Sequence, residues 1–128
     1  MNLLLDTHAL LWWLFDDRRL TAAAREAIAA PRNRVVVSAV SGWEIATKHR
    51  IGRLPDAGAA ATDLPALLKR ARFEELPVAL RHGMAAGALR GPHRDPFDRM
   101  LIAQAQLESL RVVSNDPVFR AYGLAVLW

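Results

Sequence analysis

Residues 2–15 of the chain read Asn-Leu-Leu-Leu-Asp-Thr-His-Ala-Leu-Leu-Trp-Trp-Leu-Phe. The first four, Asn2–Leu5, form a short apolar run that ends at Asp6, which is typical of a strand buried on both faces of a sheet. The following residues, His8–Phe15, have a helix-like pattern. A buried strand followed by a helix indicates a parallel sheet, because parallel neighbours need a crossover and the crossover is usually helical.

The same alternation of short apolar runs and helix-like stretches continues along the chain. Further strands are predicted at Val35–Ser38, Val112–Ser114 and Ala125–Leu127, with Leu76–Val78 as an additional candidate. Further helices are predicted at Thr21–Ala30, Val40–Ile51, Asp63–Arg72, Leu80–Leu89 and Pro96–Ser109. The segment Pro55–Pro65 is predicted to be a loop. The fold class is therefore α/β, with three layers (α/β/α) around a central, mostly parallel sheet.

Size and composition limit the classes of protein to consider. The chain has 128 residues, of which 52% are hydrophobic and 23% charged, so we expect one globular domain spanning residues 1–128. It contains no cysteine, which excludes disulfide scaffolds, thiolate zinc sites and cysteine nucleophiles. The first apolar segment is interrupted by Asp6 and His8 and is shorter than the ~20 residues that a membrane span needs. We therefore expect a cytoplasmic protein without a membrane segment.

The charge balance is moderately basic. Lysine and arginine number 17 against 13 acidic residues, which gives a net charge of +4. This excess favours a polyanion or an acidic protein as partner.

Four acidic residues lie where the predicted strands end or where the following helices begin. They are Asp6, Glu44, Asp98 and Asp116. In an open parallel sheet, ligands bind outside the carboxyl ends of the strands. Carboxylates that share this edge repel each other by on the order of 1–4 kcal/mol per pair at 4 Å, and a divalent cation removes that penalty. Oxygen ligands without cysteine favour Mg²⁺ or Mn²⁺, and such a site suits phosphoester hydrolysis.

Helix capping is the alternative explanation for three of these acids. Ser41 and Glu44 have the spacing of a capping box. Asp95 precedes Pro96 as an N-cap would, which places Asp98 in the first helical turn. Asp116 likewise precedes a proline. Asp6 is not explained in this way, because Thr7 can serve as the N-cap of the first helix.

The residues around these acids resemble a known family. The relevant segments are Leu-Leu-Leu-Asp6-Thr7-His8, Ser41-Gly-Trp-Glu44-Ile-Ala, Asp95-Pro-Phe-Asp98-Arg-Met-Leu-Ile-Ala and Ser114-Asn-Asp116. Together they resemble the PIN-domain ribonucleases, and within them the VapC-type toxins of toxin–antitoxin pairs. The resemblance spans nearly the whole chain.

The resemblance implies a Mg²⁺- or Mn²⁺-dependent endoribonuclease whose catalytic acids are Asp6, Glu44, Asp98 and Asp116. Asp6, Asp98 and Asp116 would bind the metal, and Glu44 would complete the site or accept a proton. Thr7 and Ser114 match the hydroxyl residues that the family places beside its acids. The resemblance also implies an RNA substrate, a homodimer and a VapB-like antitoxin.

Basic and apolar residues supply two further expectations. Arg99, Lys48 and Arg94 are candidates for binding the substrate phosphates. The seven apolar residues from Ala9 to Phe15 leave the first helix without a polar face, so one of its two tryptophans should need a cover from another molecule.

Two other functions remain open at this stage. The same acids could serve a metal-dependent phosphoesterase of small substrates. They could also be helix caps in a module that binds nucleic acid or an antitoxin without catalysis.

Overall fold

A five-stranded parallel sheet forms the centre of the computed structural model, which describes all residues from Met1 to Trp128. The strands are β1 (Asn2–Leu5), β2 (Arg34–Ser38), β3 (Glu74–Leu76), β4 (Arg111–Val113) and β5 (Val126–Leu127). Their order is β3-β2-β1-β4-β5, and every neighbouring pair is parallel. The predicted three-layer α/β/α fold is confirmed. No helix is long and apolar enough to cross a membrane.

Helices cover both faces of this sheet. They are α1 (Thr7–Leu14), α2 (Ala22–Ala29), α3 (Ala39–Arg50), α4 (Gly58–Ala71), α5 (Leu80–Ala88), α6 (Pro96–Glu108) and α7 (Val118–Ala121). Because side chains alternate along a strand, Leu3 and Leu5 of β1 pack in one core with α1, α2 and α4, whereas Leu4 packs in the other core with α6 and α7. The central strand β1 thus anchors both cores, and its carboxyl end lies in the middle of the sheet edge.

Two predicted segments differ from the structure. Pro55–Pro65 was predicted to be a loop, but it contains a 3₁₀ turn and then the first half of α4, which its alanine run favours. That helix is interrupted at Asp63, whose carboxylate accepts a hydrogen bond from the amide of Ala66. The strand predicted at Leu76–Val78 lies instead at Glu74–Leu76. It is an exposed edge strand that begins with two glutamates, so it lacks the apolar run on which the prediction was based.

The apolar helix α1 is covered largely by the chain itself. Trp12 packs against Trp128 at 5.7 Å between ring centroids, and the guanidinium of Arg19 lies 5.0 Å from the Trp12 ring. Trp13 packs against Phe73 at 6.0 Å. Neither tryptophan is fully buried, and Phe15 at the end of the helix is 44% exposed. The expectation of a cover from another molecule stays a prediction.

Candidate active site

The four predicted acids lie around one cavity at the carboxyl edge of the sheet. The cavity has a volume of about 200 Å³ and no hydrophobic side chain in its wall. It is lined by Asp6, Thr7, His8, Glu44, Lys48, Asp95, Asp98, Asn115 and Asp116. Asp6 follows β1 directly and Asp116 follows β4, while α3 and α6 contribute Glu44 and Asp98. Residues that are 110 positions apart in the sequence thus share one polar space.

Among the acids of this cavity, Asp6 has the pKa that departs most from its ordinary value. Its carboxylate caps α1 by accepting a hydrogen bond from the amide of Ala9 at 2.7 Å, and it also accepts one from the hydroxyl of Ser114. Burial raises the pKa of Asp6 from 3.8 to about 6, although the two hydrogen bonds act to lower it. The negative charge of Asp98 also raises this pKa. The expectation that Thr7 is the N-cap is wrong, because Thr7 is the first residue inside the helix.

Two hydroxyl groups connect the elements that carry the acids. The Ser114 hydroxyl donates to Asp6 and accepts from the amide of Asp116 at 2.9 Å, so it joins the ends of β1 and β4. The Thr7 hydroxyl donates to the hydroxyl of Ser41 on α3 at 3.0 Å. Both hydroxyl residues that the sequence singled out therefore lie beside the acids, and Ser114 contacts one directly.

Glu44 is 5% exposed and forms an ion pair with Lys48, one turn further along α3. The N-cap of α3 is Ser38, whose hydroxyl accepts a hydrogen bond from the amide of Val40 at 3.0 Å. Glu44 therefore lies in the second helical turn, and the capping box with Ser41 is not formed. A buried carboxylate in this position has no capping role.

Asp98 lies at the start of α6, and its surroundings match the sequence analysis in part. The predicted N-cap is confirmed: the carboxylate of Asp95 accepts from the amide of Asp98 at 3.0 Å, and Pro96 is the first helical residue. The sequence analysis did not predict that His93 contacts the Asp98 carboxylate, at 2.8 Å. Burial raises the pKa of Asp98, and the negative charges of Asp95 and Asp116 raise it further. The hydrogen bond with His93 lowers this pKa but does not cancel the rise.

Asp116 lies beside the start of α7 and also lines the acid cavity. Its carboxylate accepts a hydrogen bond from the amide of Val118 at 2.9 Å, next to the start of α7. The same residue lines the acid cavity. The N-cap of α7 is Pro117, so the prediction of Asp116 as an N-cap is wrong, although its carboxylate binds the amide of the first helical residue.

Comparisons with known proteins agree with this architecture. The family model of the PIN domain matches residues 3–124. The chain belongs to the PIN-domain family. It is 30% identical to Ribonuclease VapC22 of Mycobacterium tuberculosis over 124 residues, which are 94% of this chain and 92% of that protein.

Solved structures of low sequence identity share the fold of this PIN domain. VapBC2 from Rickettsia felis, bound to a DNA fragment from its promoter, matches with a TM-score of 0.71 at 16% identity, covering 98% of this chain and 97% of that chain. DNA-bound VapBC from Salmonella typhimurium matches with a TM-score of 0.68 at 18% identity, covering 98% and 96%.

Arg99, one of the three basic residues predicted to bind substrate phosphates, donates hydrogen bonds within the protein. The guanidinium of Arg99 donates to the backbone carbonyls of Ala86 at 3.2 Å, Leu89 at 2.5 Å and His93 at 2.9 Å. It does not line the cavity. These bonds connect Arg99 to the end of α5 and to the loop that follows it, and the phosphate contact of Arg99 stays a prediction.

The other two basic candidates occupy different positions. Lys48 lines the cavity and is paired with Glu44. Arg94 is exposed on the loop before Asp95, outside the cavity wall.

The donor set of the cavity fits a hard divalent cation, because every carboxylate in it supplies oxygen and no soft ligand is present. As the side chains stand, no three histidine or acidic residues form an arrangement that could hold an ion. Lys48 and His93 engage one carboxylate oxygen each of Glu44 and Asp98, and hydroxyl or amide donors bind Asp6 and Asp116.

Proposed function

We propose that this PIN domain is a VapC-type endoribonuclease, the toxin of a toxin–antitoxin pair, and that it requires Mg²⁺ or Mn²⁺. The observation that carries the proposal is the convergence of four acids on one wholly polar cavity at the sheet edge. The relatedness to Ribonuclease VapC22 supports RNA as the substrate.

The proposed metal ligands are Asp6, Asp98 and Asp116. When bound, the ion supplies an activated water and a counter-charge for the scissile phosphate. Ser114 keeps the Asp6 carboxylate oriented through its hydrogen bond. Glu44, once separated from Lys48, has a free carboxylate to complete the ion's surroundings or accept a proton. Lys48, once separated from Glu44, carries a free ammonium that can contact a substrate phosphate.

The partners are proposed on the same basis. The structurally similar proteins are VapBC complexes, so we propose a VapB-like antitoxin that covers the acid cavity. The net charge of +4 suits an RNA substrate. A homodimer and action in the cytoplasm complete the proposal.

RNA cleavage with and without metal tests this function. The purified chain is incubated with single-stranded and structured RNAs in Mg²⁺, in Mn²⁺ and in EDTA, with a small phosphodiester in parallel. We expect RNA cleavage that EDTA abolishes. Cleavage of the small ester alone would identify a phosphoesterase, and binding of RNA without cleavage would identify a non-catalytic module.

A further inference from the structure

Trp43 has the most exposed aromatic side chain of the protein although it adjoins a buried acid. The residue is 59% exposed, whereas the next residue, Glu44, lies in the cavity wall. The Trp43 ring is held against Phe97 with ring centroids 4.7 Å apart and planes at 67°. Phe97 in turn directly precedes Asp98. The edge-to-face aromatic pair lies close to the acid cavity, because the ammonium of Lys48, which lines the cavity, is 5.7 Å from the centre of the Phe97 ring.

The exposed face of α3 continues from Trp43 to a cation. Ala46 and Arg50 are exposed, and their spacing from Trp43 puts them on the same side of the helix, with Arg50 two turns, or about 10 Å, away. The structure contains no ion pair or side-chain hydrogen bond of Arg50, whereas Lys48 and His49 are occupied by Glu44 and the carbonyl of Leu54. This face therefore offers an aromatic ring followed by a free positive charge.

We propose that Trp43 stacks on a nucleobase of single-stranded RNA beside the phosphate that enters the acid cavity, and that Arg50 binds a phosphate further along the strand. The inference rests on the ribonuclease function proposed above and names how the substrate is held. Aromatic stacking platforms combined with a basic track are the usual means of binding single strands. The sugar of a nucleotide fixes its base close to its phosphate, so a base platform has to lie at the rim of the cavity, where Trp43 is.

The charge on this face suits the phosphates of RNA, and the exposed indole beside it suits a base. Arg50 is an unpaired cation on the same helix face, and it complements a phosphate backbone. The contact with Phe97 fixes the indole before any ligand arrives, which lowers the entropic cost of stacking. Stacking alone reads no base edge, so the platform accepts every base.

Binding of a short RNA to matched variants tests the stacking. The probe is a single-stranded RNA of about 12 nucleotides, the range of single-strand site sizes, and the protein carries Asp98→Asn so that the RNA stays intact. Trp43→Ala should weaken binding by about 5- to 100-fold, the usual effect of removing a stacking platform. Trp43→Phe should restore most of it. Met84→Ala, which shortens an exposed apolar side chain on α5, is the matched control and should bind normally.

An abasic nucleotide scanned along the RNA provides a second, independent readout. At one position, loss of the base should weaken binding to the parent protein but have little further effect on Trp43→Ala, because both changes remove the same contact. The scan on the parent protein alone needs no Trp43 variant: if no abasic position weakens binding to the parent, the proposal is overturned. Additive losses at every position would overturn it.

The remaining outcomes separate this proposal from the function on which it rests. If the unmodified chain cleaves RNA and Trp43→Ala binds RNA normally, the stacking is wrong and the ribonuclease function stands. If the unmodified chain neither binds nor cleaves RNA, both are wrong. If Trp43→Ala changes the sedimentation coefficient from that of a dimer to that of a monomer and leaves RNA binding unchanged, the indole belongs to a contact between copies.

Discussion

Two clusters of titratable side chains lie between the helices of this PIN domain, and their electrostatics are opposite. In the acid cavity, burial raises the pKa of Asp6 to about 6 and also raises that of Asp98. In the second cluster, between α5 and α6, hydrogen bonds from His82 and Arg81 lower the pKa of Glu108. At Asp6 and Asp98 the effect of burial on the pKa thus outweighs that of the hydrogen bonds, whereas at Glu108 the hydrogen bonds outweigh burial.

The second cluster is a capping device. His82 is 2% exposed; its Nδ1 accepts a hydrogen bond from the amide of Ala79 at the start of α5 at 2.9 Å, and its Nε2 contacts Glu108 at 3.0 Å. A neutral ring with its proton on Nε2 satisfies both contacts. Where hydrogen bonds do not offset the cost of burying a carboxylate, as in the acid cavity, a ligand is expected. Where they do offset it, as at Glu108, the cluster stabilises the fold.

Removing one charge from the acid cavity gives the largest expected effect. Asp98→Asn should lower RNA cleavage by about a thousandfold, because a bound ion contributes several kcal/mol of charge stabilisation and its proposed ligand is lost. The melting temperature of the metal-free protein should stay the same or rise. Glu108→Gln is the matched control, a carboxylate removed from the other cluster, and it should cleave RNA normally.

The dependence of stability on pH should differ between the clusters. The pKa of Asp6 is raised from 3.8 to about 6 in the folded protein, so its contribution is fully present below pH ~4 and is lost as the pH rises through ~6. The loss is about 3 kcal/mol. In metal-free buffer, Asp6→Asn should therefore unfold at higher urea concentration than the parent at pH 8 and at the same concentration at pH 3.5. An equal effect at both pH values would contradict the burial argument.

Removing the buried histidine should affect the fold without affecting the chemistry. His82→Ala leaves the amide of Ala79 without its partner, opens a cavity and should lower the free energy of unfolding by about 2 kcal/mol. RNA cleavage measured well below the melting temperature should be unchanged. A loss of cleavage in the folded variant would show that the two clusters are coupled.

The smallest effect is expected at Glu108. Its pKa is lowered in the folded protein, so its contribution to stability is present above its unfolded pKa and is lost as the pH falls. Glu108→Gln should slightly lower the melting temperature at pH 7, and the difference should vanish near pH 3. This direction is opposite to that of Asp6→Asn, and melting curves at the two pH values check it.

Patterns that depend on burial were predictable from the sequence, and through-space contacts were not. Leu3–Leu5 of β1 are all apolar because both faces of the strand are covered, and the end of this run indicated the position of Asp6. The edge strand β3 has no such constraint, and it was misplaced by two residues.

No local sequence pattern indicates which residues contact the acids. Ser114 contacts Asp6 only because β1 and β4 are neighbours in the sheet. Arg99 donates to a backbone carbonyl between α5 and α6 whose position depends on the tertiary fold. His93 lies five residues before Asp98, in a loop whose conformation the sequence pattern does not fix. The acids themselves were predictable, because parallel topology brings the strand ends together.

The hydrogen bond between Ser114 and Asp6 also has a consequence for protein synthesis. The two residues are 108 positions apart in the chain. At synthesis rates of about 5–20 residues per second, Asp6 is added to the chain about 5–20 s before Ser114. During that interval neither β4 nor the carboxylate of Asp116 exists, so the acid cavity is incomplete. We therefore expect that a nascent chain cannot cleave RNA before the segment that carries Ser114 and Asp116 has been synthesised and has folded against β1.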